Sequence, residues 1–262
     1  MSFRVKTKRL TIATCAALAL SFAARAQTPG RASAASPATA APALPTVSEI
    51  LDRSVVAAGG RDAWTKLTSR VTTGTIDVPA MHLSGTIELR EKAPNRVLAV
   101  VTIAGASFRQ GFDGTVGWTD DPQDGLREQS GAELAEARRD ADFYHGLNLR
   151  QLYSKLTLSG TEKIGDRTAY VIVADLPEGG EPDRFYFDAQ TGLRLRVVSQ
   201  RHDTEGPIEY SVDYNDYRDV DGVKLPFAIR QTSGNSTLII KIGEVHHNVE
   251  IADSEFSKAA VQ

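Results

Sequence analysis

Few side chains in this sequence could carry acid–base or metal chemistry, and they are scattered. The five histidines are His82, His145, His202, His246 and His247, and only the last two are neighbours. Successive residues of a strand point to opposite faces, so His246 and His247 read as surface or edge side chains rather than as two ligands of one metal. Asp213, Asp216, Asp219 and Asp221 suggest calcium at first sight, but their spacing runs along a strand into a hairpin and does not make a twelve-residue oxygen cage. Asp120-Asp121 reads as solvated charge in a turn. The sequence has no G-x-S-x-G, H-E-x-x-H, P-loop or G-x-G-x-x-G pattern; Gly59-Gly60 reads as a helix stop and Gly179-Gly180 as a loop. No catalytic residue, metal or cofactor is therefore expected. One enzymatic reading stays open, a hydrolase whose histidine meets a hydroxyl and a carboxylate brought from distant positions.

The rest of the chain reads as a scaffold made after export. Residues 1 to 26 have a basic start, an apolar run from Leu10 to Ala24, and Ala24-Arg25-Ala26 as a cleavage site, which together make a signal peptide for a periplasmic protein. The apolar run is about 15 residues, where a membrane-spanning helix needs roughly 20. The single cysteine, Cys15, lies inside this run; lipidation there is an alternative reading, disfavoured by Thr14 before it. Cleavage after Ala26 leaves no cysteine, so neither a disulfide nor a thiolate site is available. It also removes five basic residues and no acidic one, leaving 25 bases against 33 acids, a net charge of −8. That balance argues against a nucleic-acid binder or a protein held on anionic lipid by general electrostatics, and leaves room for a local basic patch. Residues 27 to 45 are rich in Ala, Ser, Thr and Pro and read as a disordered linker, with one domain over 46 to 262.

That domain opens with Thr46-Val47-Ser48-Glu49, a capping box, followed by Val47, Ile50, Leu51 and Val55 on one helical face. From Val71 the apolar period shortens to 2, and Asn95 to Ala104 is apolar on both faces, the pattern of a strand covered on both sides. A helical stretch from Ser130 to about Tyr153 interrupts the strands, with Ser130-Gly131-Ala132-Glu133 as a second capping box. Turn signals at Gly165-Asp166, Gln190-Thr191-Gly192 and Asp221-Gly222 then separate further strands. Short turns join neighbours antiparallel. The fold class is α+β, mostly β: a strongly curved antiparallel sheet, a half-open β-barrel, with helices covering its concave face.

Three stretches carry a family likeness. Phe112 to Pro122, FDGTVGWTDDP, with Asp-Gly, a Trp four residues on and a Pro four beyond that, resembles the LolA-like periplasmic carriers of outer-membrane lipoproteins. Phe187 to Leu193, FDAQTGL, and Tyr214 to Pro226, YNDYRDVDGVKLP, resemble the wider outer-membrane lipoprotein-sorting group. The resemblance spans roughly residues 70 to 245 and implies a half-open barrel with an apolar cavity for acyl chains under a helical lid. The family carrier holds its lid with an arginine, and no arginine of this chain is matched to that role.

The resulting expectation is a non-catalytic periplasmic carrier or sensor of a lipid or lipid-modified protein. Burying acyl chains contributes about 0.8 kcal/mol per methylene and needs little more than a dry groove and a removable cover. Candidate groove residues are Ile87 and Leu89, Leu98 and Val100, and Phe185 and Phe187; candidate lid residues are Leu149, Leu152 and Tyr153. Trp118 reads as a packing anchor. Expected partners are the lipid or lipidated protein and an envelope protein, with no nucleic acid. The alternative is an envelope scaffold or interaction module on the same fold, its core filled with side chains.

Overall fold

The computed structural model describes residues 43–203 and 206–261; the signal peptide expected over 1–26 and the linker as far as residue 42 lie outside them. Helix α1 (Val47–Ala57) starts where its capping chemistry dictates. Thr46 Oγ1 accepts the Glu49 amide at 3.2 Å, and Glu49 Oε2 accepts the Thr46 amide at 2.7 Å. The helix ends at Gly59, whose φ of +112° suits glycine. A Cβ on Gly59 would stand 2.3 Å from the Gly222 carbonyl, so the helix end is pressed against a hairpin that only glycine can approach. A single turn, α2 (Arg61–Trp64), leads into the sheet.

Strands β1 (Ser69–Val78), β2 (Leu83–Lys92), β3 (Arg96–Ile103), β4 (Ala106–Phe112), β5 (Gly117–Asp121) and β6 (Gly125–Glu128) follow as successive antiparallel neighbours. The chain then leaves the sheet through α3 (Gly131–Asp140) and α4 (His145–Leu152). It returns in β7 (Lys155–Ile164), β8 (Arg167–Asp175), β9 (Asp183–Asp188), β10 (Arg194–Asp203), β11 (Gly206–Val220), β12 (Val223–Ser233) and β13 (Ser236–His247). Pairing of β13 with β1 joins the two runs into one curved, unclosed antiparallel sheet of 13 strands, with β6 at one edge and β7 at the other. Edge strands β6 and β7 are consecutive in sequence, so the α3–α4 segment must cross from one rim of the sheet to the other. It forms the cover.

The helical stretch differs from expectation in two ways. It is two helices separated by a turn at Ala141–Tyr144, and Ser130 makes no side-chain cap. Glu133, the acid that would complete a capping box, is held by both terminal nitrogens of Arg127 at 2.8 Å. Three apolar contacts seat the cover. Phe112 receives Ala137 of α3 and Ala141 just after it. Leu67, Val223, Leu225 and Phe227 receive Phe143 from the turn. Ile172, Ala174, Phe185 and Phe187 receive Leu149 of α4 together with Ile50 and Leu51 of α1.

Both faces of β3 are occupied. Leu98 and Val100 pack outward with Trp118, under Ile251 and Phe256 of the C-terminal segment. Trp118 is 1% exposed; its indole Nε1 donates to the Phe256 carbonyl at 2.9 Å, and its cross-strand neighbour is Gly111, where any Cβ would strike the indole. It is a packing anchor of the outer face.

Candidate functional site

Between the sheet and its cover lies a cavity of about 520 Å³. Its floor is built by strand alternation: Leu89 of β2, Phe185 and Phe187 of β9, Val197 of β10 and Val212 of β11 all turn inward. Its roof is Phe143 and Tyr144 from the turn, His145, Leu147 and Leu149 of α4, and Tyr153 just after it. The roof is tied to the sheet on two sides. The Phe143 amide donates to the Pro94 carbonyl at 3.0 Å and the Tyr144 hydroxyl to the Leu67 carbonyl at 2.8 Å. Across the cavity, the Tyr153 hydroxyl donates to Asp183 Oδ2 at 2.6 Å. Arg150 braces α4 against α1 through the Ser48 carbonyl at 3.0 Å and Asp52 at 2.8 Å.

Of the residues expected at a groove, the structure brings Leu89, Phe185, Phe187, Leu149 and Tyr153 together around this cavity. Ile87 shares the inward face of β2 with Leu89 but lies beyond the lining. Leu152 packs beside the cluster of Leu149, Phe185 and Phe187 without lining the hollow. Leu98 and Val100 are corrected: they face the other side of the sheet, among Trp118, Ile251 and Phe256. Strand periodicity says that Leu98 and Val100 share a face, but not which face, and a strand covered on both sides makes its two faces look alike.

No protein-family model and no curated protein sequence matches this chain. Solved structures do. A DUF1329 family protein from Desulfovibrio piger superposes with a TM-score of 0.55 at 16% identity, covering 83% of this chain and 99% of that one. An outer-membrane lipoprotein-sorting protein domain from Vibrio parahaemolyticus gives 0.52 at 12% identity, covering 81% and 97%. A LolA superfamily protein from Nitrosomonas europaea gives 0.52 at 13% identity, covering 83% and 100%. The fold is LolA-like.

The cavity in this LolA-like fold is not the dry groove expected from sequence. Ionisable side chains line one part of it: Arg139 of α3, His145, Asp183 of β9 and Arg194 of β10. The Arg139 guanidinium lies 5.6 Å over the Tyr153 ring and donates to Glu178 at 2.7 Å, with Asp183 4.0 Å from its Nε. Burial raises the Asp183 carboxyl, opposed by the Tyr153 hydroxyl and Arg139. Burial likewise raises the Tyr153 phenol, with Asp183 adding to the shift. Burial pushes His145 down to about 3, helped by the charges of Arg194 and Arg139, so the ring is neutral at physiological pH. A smaller hollow of about 340 Å³ lies beside α3, lined by Val97, Ala99, Phe112, Gln129 and Glu136.

These groups can bind and orient; they do not form a hydrolytic triad. Among the described residues, the histidines hydrogen-bonded to a carboxylate are His246 with Glu244 at 3.3 Å and His247 with Asp221 at 2.8 Å, and neither meets a hydroxyl. Their side chains are 63% and 2% exposed, on opposite faces of β13. Among the described residues no group of three His, Cys, Asp or Glu side chains is arranged to hold a metal. Sequence reading missed the polar wall of this cavity. The signal was there for one member: stepping back by two from Phe187 and Phe185 puts Asp183 on the same inward face.

Proposed function

We propose that this chain is an exported, non-catalytic carrier or sensor that shelters the acyl chain of a lipid or of a lipid-modified protein beneath α3 and α4, working in the periplasm with an envelope protein as donor or acceptor. The observation that carries this reading is the hollow of about 520 Å³ between cover and sheet, within the range of ligand sites. A scaffold module on the same fold would have that space filled by its own side chains. The lining supports the reading: Leu89, Phe185, Phe187, Val197 and Leu149 offer apolar surface, and the cover is a crossover held by a few hydrogen bonds to the sheet. Burial at about 0.8 kcal/mol per methylene rewards an acyl chain for entering without any reaction.

The test is direct. Protein purified from its own host is analysed by native mass spectrometry for retained lipid, and the stripped protein is titrated with a fluorescent acyl probe. Retained acyl species or saturable probe binding is expected. Silence in both measurements would overturn the carrier reading.

A further inference from the structure

One guanidinium in the cavity makes no hydrogen bond or close ion pair to a carboxylate among the described residues; the Asp140 carboxyl feels its charge without bonding to it. Arg194 opens β10 just after the turn at Gly192, and its guanidinium carbon sits 4.9 Å over the ring of Tyr214. Its Nε is buried without a hydrogen-bond partner, and among the described residues no carboxylate pairs with it. Among the described residues, the nearest charged side chains other than the exposed Lys224 are engaged elsewhere. Arg70 makes two hydrogen bonds to Glu91, at 2.6 and 2.7 Å. Arg139 is held by Glu178, and Asp183 accepts from Tyr153. Asp142 accepts from the Asn148 side chain at 3.0 Å and from the Tyr144 amide at 2.8 Å, and Asp140 also has a partner. His145 is neutral and supplies no compensating charge.

We propose that the cavity takes a single-chain amphiphile with an anionic head, carboxylate or phosphate, whose head pairs with the Arg194 guanidinium while its alkyl chain lies along Phe187, Val197 and Val212. This inference rests on the carrier reading above and narrows its cargo. The physical reason is the cost of a poorly paired cation in a partly desolvated wall: an anion that pairs with it recovers a charge-assisted hydrogen bond, which an uncharged head cannot. A guanidinium braced on an aromatic face presents its remaining N–H groups in a fixed plane, which suits two oxygens of one head. The volume accommodates one such chain: at about 30 Å³ per methylene, the share of a water in the liquid, 520 Å³ takes roughly sixteen carbons.

The experiment displaces a neutral fluorescent probe, N-phenyl-1-naphthylamine, from the wild-type protein with hexadecanoate, hexadecyl phosphate or hexadecanol at pH 8. At least one anion is expected to displace the probe at concentrations roughly ten- to a hundredfold below those of the alcohol. Whichever anion is stronger identifies the head; equal strength means that the site accepts both. Arg194→Met and Arg194→Gln should remove this preference while leaving hexadecanol displacement unchanged, and Lys241→Gln, at an exposed lysine of β13 outside the cavity lining, should keep it. Alcohol and anions displacing equally from the wild type, or a preference that survives both Arg194 variants, would overturn the inference while the carrier reading stands. No displacement by any of the three would sink the carrier reading itself. Should the Arg194 variants not fold, [1-13C]hexadecanoate bound to the wild type gives a second measurement. A carboxyl signal that stays ionised where free hexadecanoate is protonated supports the ion pair; one that titrates as the free acid overturns it.

Discussion

Tyr153, at the end of the cover, reaches across the cavity and donates its hydroxyl hydrogen to the buried carboxylate of Asp183 on the sheet, at 2.6 Å. Thirty residues apart in sequence, the two close the cover onto β9. Tyr153→Phe removes the donor and leaves a buried carboxylate short of a partner, which should cost about 1–3 kcal/mol of stability in urea unfolding. Amide exchange across α4 should speed up more than exchange in β11 and β12. A variant as stable as wild type, with unchanged exchange in α4, would mean that this contact does not hold the cover.

Filling the hollow separates binding from folding. Val197 is half-buried and lines the cavity floor, so Val197→Trp puts an indole into empty space. Acyl-probe affinity should fall at least about tenfold, an effect of about 1.4 kcal/mol, while the urea midpoint moves little. Undiminished binding would place the ligand elsewhere on the molecule.

The outer core supplies the opposite case. Trp118→Ala removes a buried indole, its packing with Leu98 and Phe256, and its hydrogen bond to the Phe256 carbonyl. A loss of about 3–5 kcal/mol is expected. At temperatures where the variant remains folded, probe affinity should match wild type, because Trp118 does not line the cavity. A selective loss of binding would contradict the separation of the two faces.

The pH dependence carries a sign. Burial holds the folded-state pKa of His145 at about 3, while the unfolded chain protonates it near 6.5. As pH falls from about 6.5 toward 3, the unfolded state gains a proton that the folded state refuses, so stability from this group is present above 6.5 and is lost over that window. His145→Gln should remove the loss. The stability of the variant relative to wild type should therefore grow as pH falls, by up to about 1.4 kcal/mol per unit, in urea titrations at matched pH. A constant difference across the window would show that His145 titrates alike in both states.

Much of the fold was legible because strand and turn signals are local. The capping box at Thr46 and Glu49 forms as written, and the hairpin at Asp221-Gly222 falls between β11 and β12. The second capping box at Ser130 does not form; Glu133 is held instead by Arg127, six residues earlier in β6. Of the residues expected at a groove, Phe185, Phe187, Leu89, Leu149 and Tyr153 meet around one cavity, whereas Leu98 and Val100 belong to the other face.

By itself the sequence determined which segments are strands, where they turn, and that short turns make the sheet antiparallel, since these depend on residues within a few positions of one another. Only the tertiary structure decided that β13 returns to β1, that the α3–α4 crossover therefore spans the open sheet, and that Arg194, Asp183, His145 and Arg139 share one hollow. The reason is geometric: each inward side chain is set by register and by which face the crossover covers, and both depend on contacts between segments that are separate in sequence.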